Sequence, residues 1–263
     1  MENAPLSLEA ITSNLKTDTI GKNVIVLDTI DSTNTFLKSL ASKGIPAGTV
    51  VITEEQTAGR GRLGRTWVSQ KGKNLTFSVL VSLPSHNPGL ISLVAGIAVA
   101  QAIRIQTPLQ AECKWPNDIL INGKKVCGIL SEVVTSSNNN SYVIIGIGVN
   151  VNQSEFPEEI QSTATSLLLE NGHTINRINI LKTILEQLEY GYNRLQQHED
   201  TIIISEWKKL CSMIGLPISL NQNGTIITGI FADVADDGAL LLQQHNGITR
   251  ILSGEVMVVK SLS

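Results

Sequence analysis

The chain has 263 residues, of which 42% are hydrophobic and 16% are charged, proportions typical of a globular protein with a well-buried core. This length fits one large domain, or a main domain of about 200 residues with a small appendage. A net charge of −3 and a sequence pI of about 5.8 argue against a general nucleic-acid-binding protein, because such domains are usually basic.

No special compartment is indicated by the sequence. The cysteines Cys113, Cys127 and Cys211 are odd in number and lack C-x-x-C spacing, so neither a disulfide framework nor a zinc site is predicted. Residues 1–16 lack the basic-then-apolar order of a signal peptide. The longest apolar run, residues 90–105, is interrupted by polar side chains and is too short to span a membrane. We therefore expect a cytoplasmic protein.

The first part of the chain is predicted to form short strands with one helix between them. A peripheral helix or arm over residues 6–15 precedes a strand core at residues 24–27. Residues 31–34 offer several capping side chains for a helix that follows. β-Branched residues then predict a strand at residues 48–54, and another strand is predicted at residues 74–81.

The middle of the chain is predicted to be built from hairpins. A buried helix at residues 90–105 is followed by two apolar runs joined at Asn122-Gly123, which is a strong hairpin signal. Gly146 and Gly148 thin one face of the next strand and predict a close approach of backbone there. Since crossover helices are few, we predict an α+β fold with a mixed, mostly antiparallel central sheet and helices on one face.

The last part of the chain changes character near Gly215. Helices are predicted over residues 163–170, 177–197 and 202–213. Beyond Gly215, closely spaced short strands separated by Asn-Gly and Asp-Gly turns predict a small β-barrel. The predicted division of the chain is an N-terminal arm at 1–22, a main domain at 23–214 and a small C-terminal domain at 215–263.

Three glycines and three arginines stand within seven residues, from Gly59 to Arg65. Glycine allows the backbone to approach a ligand closely, and arginine presents a planar fork of donors to phosphate or carboxylate. The spacing resembles a P-loop with Arg65 in place of lysine, but a strand follows this loop where a P-loop would open a helix. The segment therefore predicts a loop that binds an anion through side chains and its own amides, and that closes on its ligand.

Four other segments accompany this loop in a fixed order. The sequence reads DSTN at 31–34, QTAGRGRLGRTW at 56–67, KWPND at 114–118, GILSE at 128–132 and GIGVN at 146–150. In order and spacing these segments resemble the biotin–protein ligases over residues 24–257. The resemblance implies a class II synthetase-like catalytic domain with an SH3-like C-terminal barrel. It also implies two reactions: biotin and ATP give biotinyl-5′-AMP, and the biotin then passes to a lysine of a biotin carboxyl carrier domain.

The resemblance also implies roles for individual residues. Biotin would be bound by Ser32, Thr33, Asn34, Gln56, Gly59, Arg60, Gly61, Arg62, Lys114 and Gly128. ATP and the adenylate would be bound by Arg62, Arg65, Trp67, Lys114, Asn117 and Asn150. Lys114, Arg62 and Arg65 would be catalytic, while Mg²⁺ would arrive with ATP and need no protein site of its own.

This chemistry fits the residue types. Joining a carboxylate to the α-phosphate of ATP requires positioning and fixed positive charge, without a covalent enzyme intermediate. The second step needs a neutral lysine amine on the carrier, and Asp118 and Glu132 are candidates for the base, although each is more readily explained as structural. The resemblance is also compatible with a homodimer formed through a sheet face or edge.

Two departures from the family pattern are visible. Only about 23 residues precede the first core strand, too few for the helix-turn-helix domain that some members carry, so DNA binding is not expected. Val259 stands where the family tends to place a basic residue, and Lys260 is adjacent. Two alternatives stay open at this point: a lipoate ligase or octanoyl transferase of the same general fold, and a non-catalytic biotin sensor.

Overall fold

The computed structural model describes residues 5–137, 139–222 and 224–259. The helices are α1 (Leu8–Thr12), α2 (Thr33–Ala41), α3 (Leu90–Gln106), α4 (Leu167–Asn171), α5 (Arg177–Gln196) and α6 (Asp200–Lys209), with one 3₁₀ turn at Arg62–Gly64. The strands are β1 (Val24–Ile30), β2 (Val50–Gln56), β3 (Leu75–Ser82), β4 (Glu112–Lys114), β5 (Asp118–Ile121), β6 (Lys124–Thr135), β7 (Ser141–Val149), β8 (Pro217–Gln222), β9 (Thr225–Val234), β10 (Leu240–Gln244), β11 (Gly247–Ile251) and β12 (Glu255–Val258). No helix among the described residues is long and apolar enough to cross a membrane.

The main sheet has seven strands in the order β1-β2-β3-β7-β6-β5-β4. Only the β1–β2 pair is parallel, because α2 connects these two strands, and every other neighbouring pair is antiparallel. The β5–β6 hairpin turns at Asn122 and Gly123, whose φ angles of 50° and 76° are those of a type I′ turn. The predicted mixed, mostly antiparallel sheet and its hairpin are therefore confirmed.

Helices cover both faces of this sheet, although unequally. α3 is apolar around its whole circumference and packs against the sheet, α5 and α6, so that it lies in the main core. On the opposite face, α2 packs over Val51, Leu80 and Ile144 and forms a smaller core of its own. The prediction of helices on one face holds for α3, α5 and α6 but was wrong for α2. The difference arises because β2 buries consecutive residues, so both of its faces need cover.

The N-terminal segment is attached to the main body. Leu6, Ile11 and Ile20 are buried in the main core, and α1 is the short helix that the sequence predicted. The Glu189 carboxylate accepts hydrogen bonds from the backbone N–H groups of residues 18–20 at 2.6–2.8 Å. These contacts tie the segment to α5.

The C-terminal strands form a second, five-stranded antiparallel sheet in the order β11-β10-β9-β8-β12. Its apolar face belongs to the main hydrophobic core, since Phe231 lies 6.5 Å from Trp207 between ring centroids. Trp115 Nε1 also donates to the Gly238 carbonyl at 2.9 Å. The small β-rich unit is confirmed, while the division at residue 215 stays a prediction because the core is continuous across it.

A buried ion pair fixes β2 to the start of α5. Arg177 donates to both carboxylate oxygens of Glu54 at 2.6 and 3.1 Å, and the two side chains are 2% and 13% exposed. Removing one partner leaves a buried charge uncompensated, so we expect Glu54→Ala to lower the free energy of unfolding by about 3–5 kcal/mol. Urea denaturation measures this loss. Glu55→Ala is the matched control, since Glu55 is 39% exposed on the same strand and its loss should cost about 0.5 kcal/mol or less. Equal losses in the two variants would contradict the prediction.

Candidate active site

A transverse row of residues crosses one face of the main sheet. Lys114 pairs with Asp118, Asp118 with Gly128, Gly128 with Gly148, and Gly148 with Thr76. Directly opposed residues on neighbouring strands point to the same face, so these five side-chain positions share one surface. Three strand spacings separate Lys114 from Gly148, a span of about 14 Å. The row therefore has the length of an elongated ligand.

Glycines make this surface concave. An added Cβ at Gly146 would lie 2.3 Å from Asn34 Oδ1, and one at Gly148 would lie 2.3 Å from Trp67 Cε2. At Gly128 an added Cβ would lie 3.1 Å from Trp67 Cζ3. We call Gly128, Gly146 and Gly148 the glycine floor. The sequence predicted that backbone would approach Gly146 and Gly148, but side chains approach them instead, because the residues opposite belong to α2 and to the arginine loop.

Uncharged polar side chains gather at one end of the glycine floor. Ser32 caps α2, and this places Thr33 and Asn34 in its first turn. The Thr33 N–H donates to Gln56 Oε1 at 2.8 Å. Ser78 Oγ lies 2.7 Å from Thr33 Oγ1 and 2.6 Å from Asn34 Oδ1. The four side chains predicted to bind the head of biotin thus lie together, and Ser78 joins them.

The arginine loop is closed at its base by backbone hydrogen bonds. The Trp67 N–H donates to the Gly59 carbonyl at 3.0 Å, and the Gly61 N–H donates to the Arg65 carbonyl at 2.7 Å. An added Cβ at Gly59 would lie 2.4 Å from the Trp67 carbonyl oxygen, so only glycine fits there. This closure lays the indole of Trp67 on the glycine floor.

The first two arginines of the loop contact acceptors near β6. Arg60 Nη2 lies 3.1 Å from Glu132 Oε1, and the other oxygen of that carboxylate accepts from Asn34 Nδ2 at 2.8 Å. Arg62 Nη1 donates to Asn117 Oδ1 at 2.9 Å. Burial lowers the pKa of Arg62, while nearby carboxylates oppose that shift. Arg62 is thus a partly desolvated cation, whose electrostatic effect on a bound anion is stronger than that of an exposed one.

The third arginine of the loop reaches the C-terminal sheet. Arg65 donates to both carboxylate oxygens of Glu255, with Nη1 2.7 Å from Oε1, and we call this pair the C-terminal clasp. The hydrogen bond from Arg65 lowers the pKa of Glu255, and the charges of Arg65, Lys114 and Lys125 lower it further. Each loop arginine therefore has its own acceptor. These acceptors offset the repulsion between the three guanidinium charges.

The C-terminal clasp should weaken in acid. Because the folded state lowers the pKa of Glu255, the clasp is fully formed above the ordinary glutamate pKa of about 4.3 and is lost as the pH falls through the lower folded value. The side-chain Nε–H resonance of Arg65 should therefore titrate with a midpoint below about 4.3. In Glu255→Gln this titration should disappear. A midpoint at the ordinary value, or one that persists in Glu255→Gln, would contradict the prediction.

Lys114 lies at the opposite end of the row from the polar cluster. Its side chain is half-buried and makes no hydrogen bond or ion pair with any residue that the structure describes. By contrast, Lys125 pairs with Asp118 at 2.6 Å and lies 5.9 Å from the centroid of the Trp67 ring. Asp118 and Glu132, the two candidate bases, are both engaged in ion pairs, which supports their structural reading.

Asn150 lies apart from these contacts. Its side chain is buried and Nδ2 donates to the Thr165 carbonyl at 3.0 Å, while Oδ1 has no hydrogen-bond partner within the described ranges. Val259 is 41% exposed, and Lys260 lies outside the described residues. The structure therefore brings the other predicted residues together without bringing Asn150 into contact with them.

Three residues at the site were given no role from the sequence. Ser78 could have been found, since it is a buried polar residue within the apolar strand β3. Lys125 carried no comparable signal, and the Gly254-Glu255 pair gave no indication of a contact with the arginine loop. Their positions depend on the register of the β5–β6 hairpin and on the packing of the C-terminal sheet.

A cleft of about 490 Å³ lies beside the site, between α3, the turn before β5 and the C-terminal sheet. Arg62 and Asn117 line it, whereas Thr33, Gln56 and Lys114 do not. A second cleft of about 530 Å³ lies in the C-terminal sheet, so volume does not identify the site. We assign the site to the glycine floor, because polar, charged and close-contact groups converge on it.

Comparison with known proteins identifies two family regions in the chain. Residues 26–150 match the Biotin/lipoate A/B protein ligase family, and residues 213–259 match the Biotin protein ligase C terminal domain. The chain is 38% identical over 256 residues to the Bifunctional ligase/repressor BirA of Bacillus subtilis, covering 95% of this chain and 78% of that protein.

Two further relatives match along most of their length. Identity to the Biotin–[acetyl-CoA-carboxylase] ligase of Mycobacterium tuberculosis is 32% over 234 residues, covering 86% of this chain and 85% of that protein. The biotin protein ligase from Aquifex aeolicus, solved in complex with biotin and ATP, superimposes with a TM-score of 0.81 at 33% identity, covering 91% of this chain and all of that one. In sequence, in fold and in both family regions, this chain belongs to the biotin protein ligases.

Proposed function

We propose that this chain activates biotin with ATP as biotinyl-5′-AMP and transfers the biotin to a lysine of a biotin carboxyl carrier domain. The observation that carries the proposal is the polarity of the site. Neutral polar groups stand at one end of the glycine floor, and Lys114, Arg62 and Arg65 stand at the other. Biotin has the same polarity, with an uncharged ureido head and a carboxylate tail.

In the first step, the residues hold two negatively charged reactants together. Ser32, Thr33, Asn34 and Gln56 would bind the ureido head, while Gly59, Arg60 and Gly61 of the loop and Gly128 of the floor would enclose the ligand. Arg62 and Lys114 would neutralise the carboxylate and the α-phosphate as they approach. Fixed cations in a partly dry site stabilise the charge that develops on the phosphate oxygens. The remaining nucleotide contacts would come from Arg65, Trp67, Asn117 and Asn150.

Mg²⁺ would enter with the triphosphate and neutralise its charge. Among the described residues, no group of three or more His, Cys, Asp or Glu side chains could hold a metal ion. The loop arginines and Lys114 would bind the anions directly, so the metal would be held by the nucleotide oxygens.

In the second step, the lysine amine of the carrier attacks the mixed anhydride and AMP leaves. We propose the biotin carboxyl carrier domain of acetyl-CoA carboxylase or of a related carboxylase as the partner, and the cytoplasm as the compartment. The described site offers Asp118 and Glu132 as carboxylates, each held by a cation. They serve to position the loop and β5 more readily than to remove a proton.

We also propose a homodimer through the edge of β6. β5 pairs with β6 only as far as Gly128, while β6 continues to Thr135. Val133 on this extension is 63% exposed. A strand with an unpaired edge is a template for pairing with another copy.

One incubation tests the proposed function. The purified chain is mixed with ATP, Mg²⁺ and a carrier domain, together with biotin, lipoate or octanoate in separate reactions, and the carrier is weighed by mass spectrometry. We expect the mass of biotin to be added to one lysine. Transfer of lipoate or octanoate instead would indicate the related acyl ligases. Binding of biotin without any transfer would indicate a sensor.

A further inference from the structure

The hydroxyl groups of the polar cluster have too few protons for all of their short contacts. Ser78 Oγ lies 2.6 Å from Asn34 Oδ1 and 2.7 Å from Thr33 Oγ1, and Thr33 Oγ1 lies 3.1 Å from Gln56 Oε1. A hydroxyl carries a single proton. Three contacts between oxygen atoms therefore share two protons, so one contact must lack a proton.

The orientation of Asn34 and the lengths of the contacts decide which contact that is. Asn34 Nδ2 faces Glu132 Oε2 at 2.8 Å and the Leu130 carbonyl at 3.3 Å, and both of these atoms can only accept when the carboxylate is ionised. The amide is thus fixed with Oδ1 towards Ser78, and since Oδ1 can only accept, Ser78 donates its proton to Asn34. The Thr33 proton then has two acceptors, and we place it on Ser78 Oγ at 2.7 Å in preference to Gln56 Oε1 at 3.1 Å, because the shorter contact is the better hydrogen bond.

This order leaves two acceptors at the ligand end of the chain. Gln56 is fixed with Oε1 towards Thr33, because it accepts the Thr33 N–H at 2.8 Å. The Thr33 hydroxyl has already given its proton to Ser78, so the 3.1 Å contact between Thr33 Oγ1 and Gln56 Oε1 holds no proton. Two oxygen atoms with free lone pairs lie side by side. Thr33 is 2% exposed, so an unmatched acceptor there is costly.

We propose that Glu132, Asn34 and Ser78 form a buried chain that fixes Thr33 and Gln56 as paired acceptors, so that this end of the site selects ligands with N–H donors. The inference rests on the proposed function and deepens it. The ureido ring of biotin carries two N–H groups, whereas lipoyl and octanoyl groups carry none. Ser78 and Glu132 are then positioning residues, which act on the ligand through Thr33 and Gln56.

Ser78→Ala tests the chain directly. Without Ser78, the Thr33 proton is free to turn to Gln56 Oε1 and to occupy one of the two acceptors. We expect the KM for biotin in adenylate formation to rise about tenfold, the worth of one hydrogen bond, while kcat and the KM for ATP change by about twofold or less. Ser92→Ala is the matched control, since it also removes a hydrogen bond between two hydroxyl groups (3.1 Å to Ser131 Oγ), but on the opposite face of β6. An unchanged KM for biotin in Ser78→Ala, or an equal rise in Ser92→Ala, would overturn the inference.

A second measurement uses the ligand itself and does not depend on a variant folding. Analogues in which ring oxygen replaces one or both ureido N–H groups keep the shape of biotin and exchange donors for acceptors. In calorimetry the wild-type chain should bind the cyclic carbonate at least about 100-fold more weakly than biotin, and Ser78→Ala should reduce this preference about tenfold. Similar affinities for biotin and the carbonate in the wild type would overturn the inference, whether or not adenylate forms. The stated preference without any adenylate formation would support the inference and contradict the proposed function.

Discussion

Replacing Lys114 with alanine is expected to slow the formation of biotinyl-adenylate by about 10²–10³-fold, by analogy with the loss of one fixed donor from a site that stabilises developing charge. The Lys114 side chain has no ion pair or hydrogen bond within the described part of the chain, so its cation is available to a ligand. For the same reason, its removal breaks no side-chain hydrogen bond or ion pair of the folded protein. We therefore expect the free energy of unfolding to change by about 1 kcal/mol or less.

Pyrophosphate release at saturating biotin and ATP measures the first effect, and urea denaturation measures the second. Lys124→Ala is the matched control, because Lys124 is an exposed lysine on β6 immediately after the hairpin turn. Its activity should equal that of the wild type. Normal adenylate formation by Lys114→Ala would refute the role of this lysine. An equal loss of activity in Lys124→Ala would show that the effect comes from the positive charge of the region and not from Lys114 itself.

The second large effect is expected for Arg62→Gly, which should release biotinyl-adenylate about 10- to 100-fold faster than the wild type. Arg62 is partly desolvated and is oriented by Asn117 Oδ1, so it can offer a charged hydrogen bond at little further cost. Such a bond contributes about 1.5–3 kcal/mol, which sets the size of the expected change. Activated biotin that escapes should then label exposed lysines of unrelated proteins.

Biotinylation of serum albumin added to the reaction measures this leakage. Leu63→Gly is the matched control, because it adds the same flexibility to the loop without removing a guanidinium. Leu63 is 69% exposed and already has a φ of 55°, a conformation that glycine adopts readily. Leakage equal to the wild type in Arg62→Gly would contradict the prediction. Equal leakage in both variants would show that loop flexibility, and not the guanidinium, retains the adenylate.

Local sequence signals predicted a large part of this architecture. The Asn122-Gly123 turn specified the β5–β6 hairpin because these two residues adopt positive φ at low cost. The polar residues 31–34 marked the beginning of α2, although not which of them caps it, and the apolar run at residues 90–105 marked the buried helix α3. The composition of the arginine loop also predicted an anion site before any distance was known. These features depend on neighbours within a few residues.

Features that depend on distant pairing were beyond such reasoning. The glycine floor exists only because the register sets Gly128 opposite Gly148, and Trp67 arrives from another part of the chain to cover both. Arg65 and Glu255 are 190 residues apart, and no local pattern links them. The covering of the second sheet face by α2 was missed because consecutive buried residues in β2 do not show which helix covers them.

In the C-terminal clasp, the guanidinium of Arg65 has two competing acceptors. In the structure Arg65 is bound by Glu255 on β12, and by the proposed function it also serves the phosphates of the nucleotide. Coupling between two binding events is reciprocal. If a phosphate draws Arg65 away from Glu255, the clasp lowers the affinity for the nucleotide by some factor, and the bound nucleotide weakens the clasp by the same factor. If the nucleotide binds as proposed, the small sheet competes with it for Arg65, and this competition would couple the sheet to nucleotide binding.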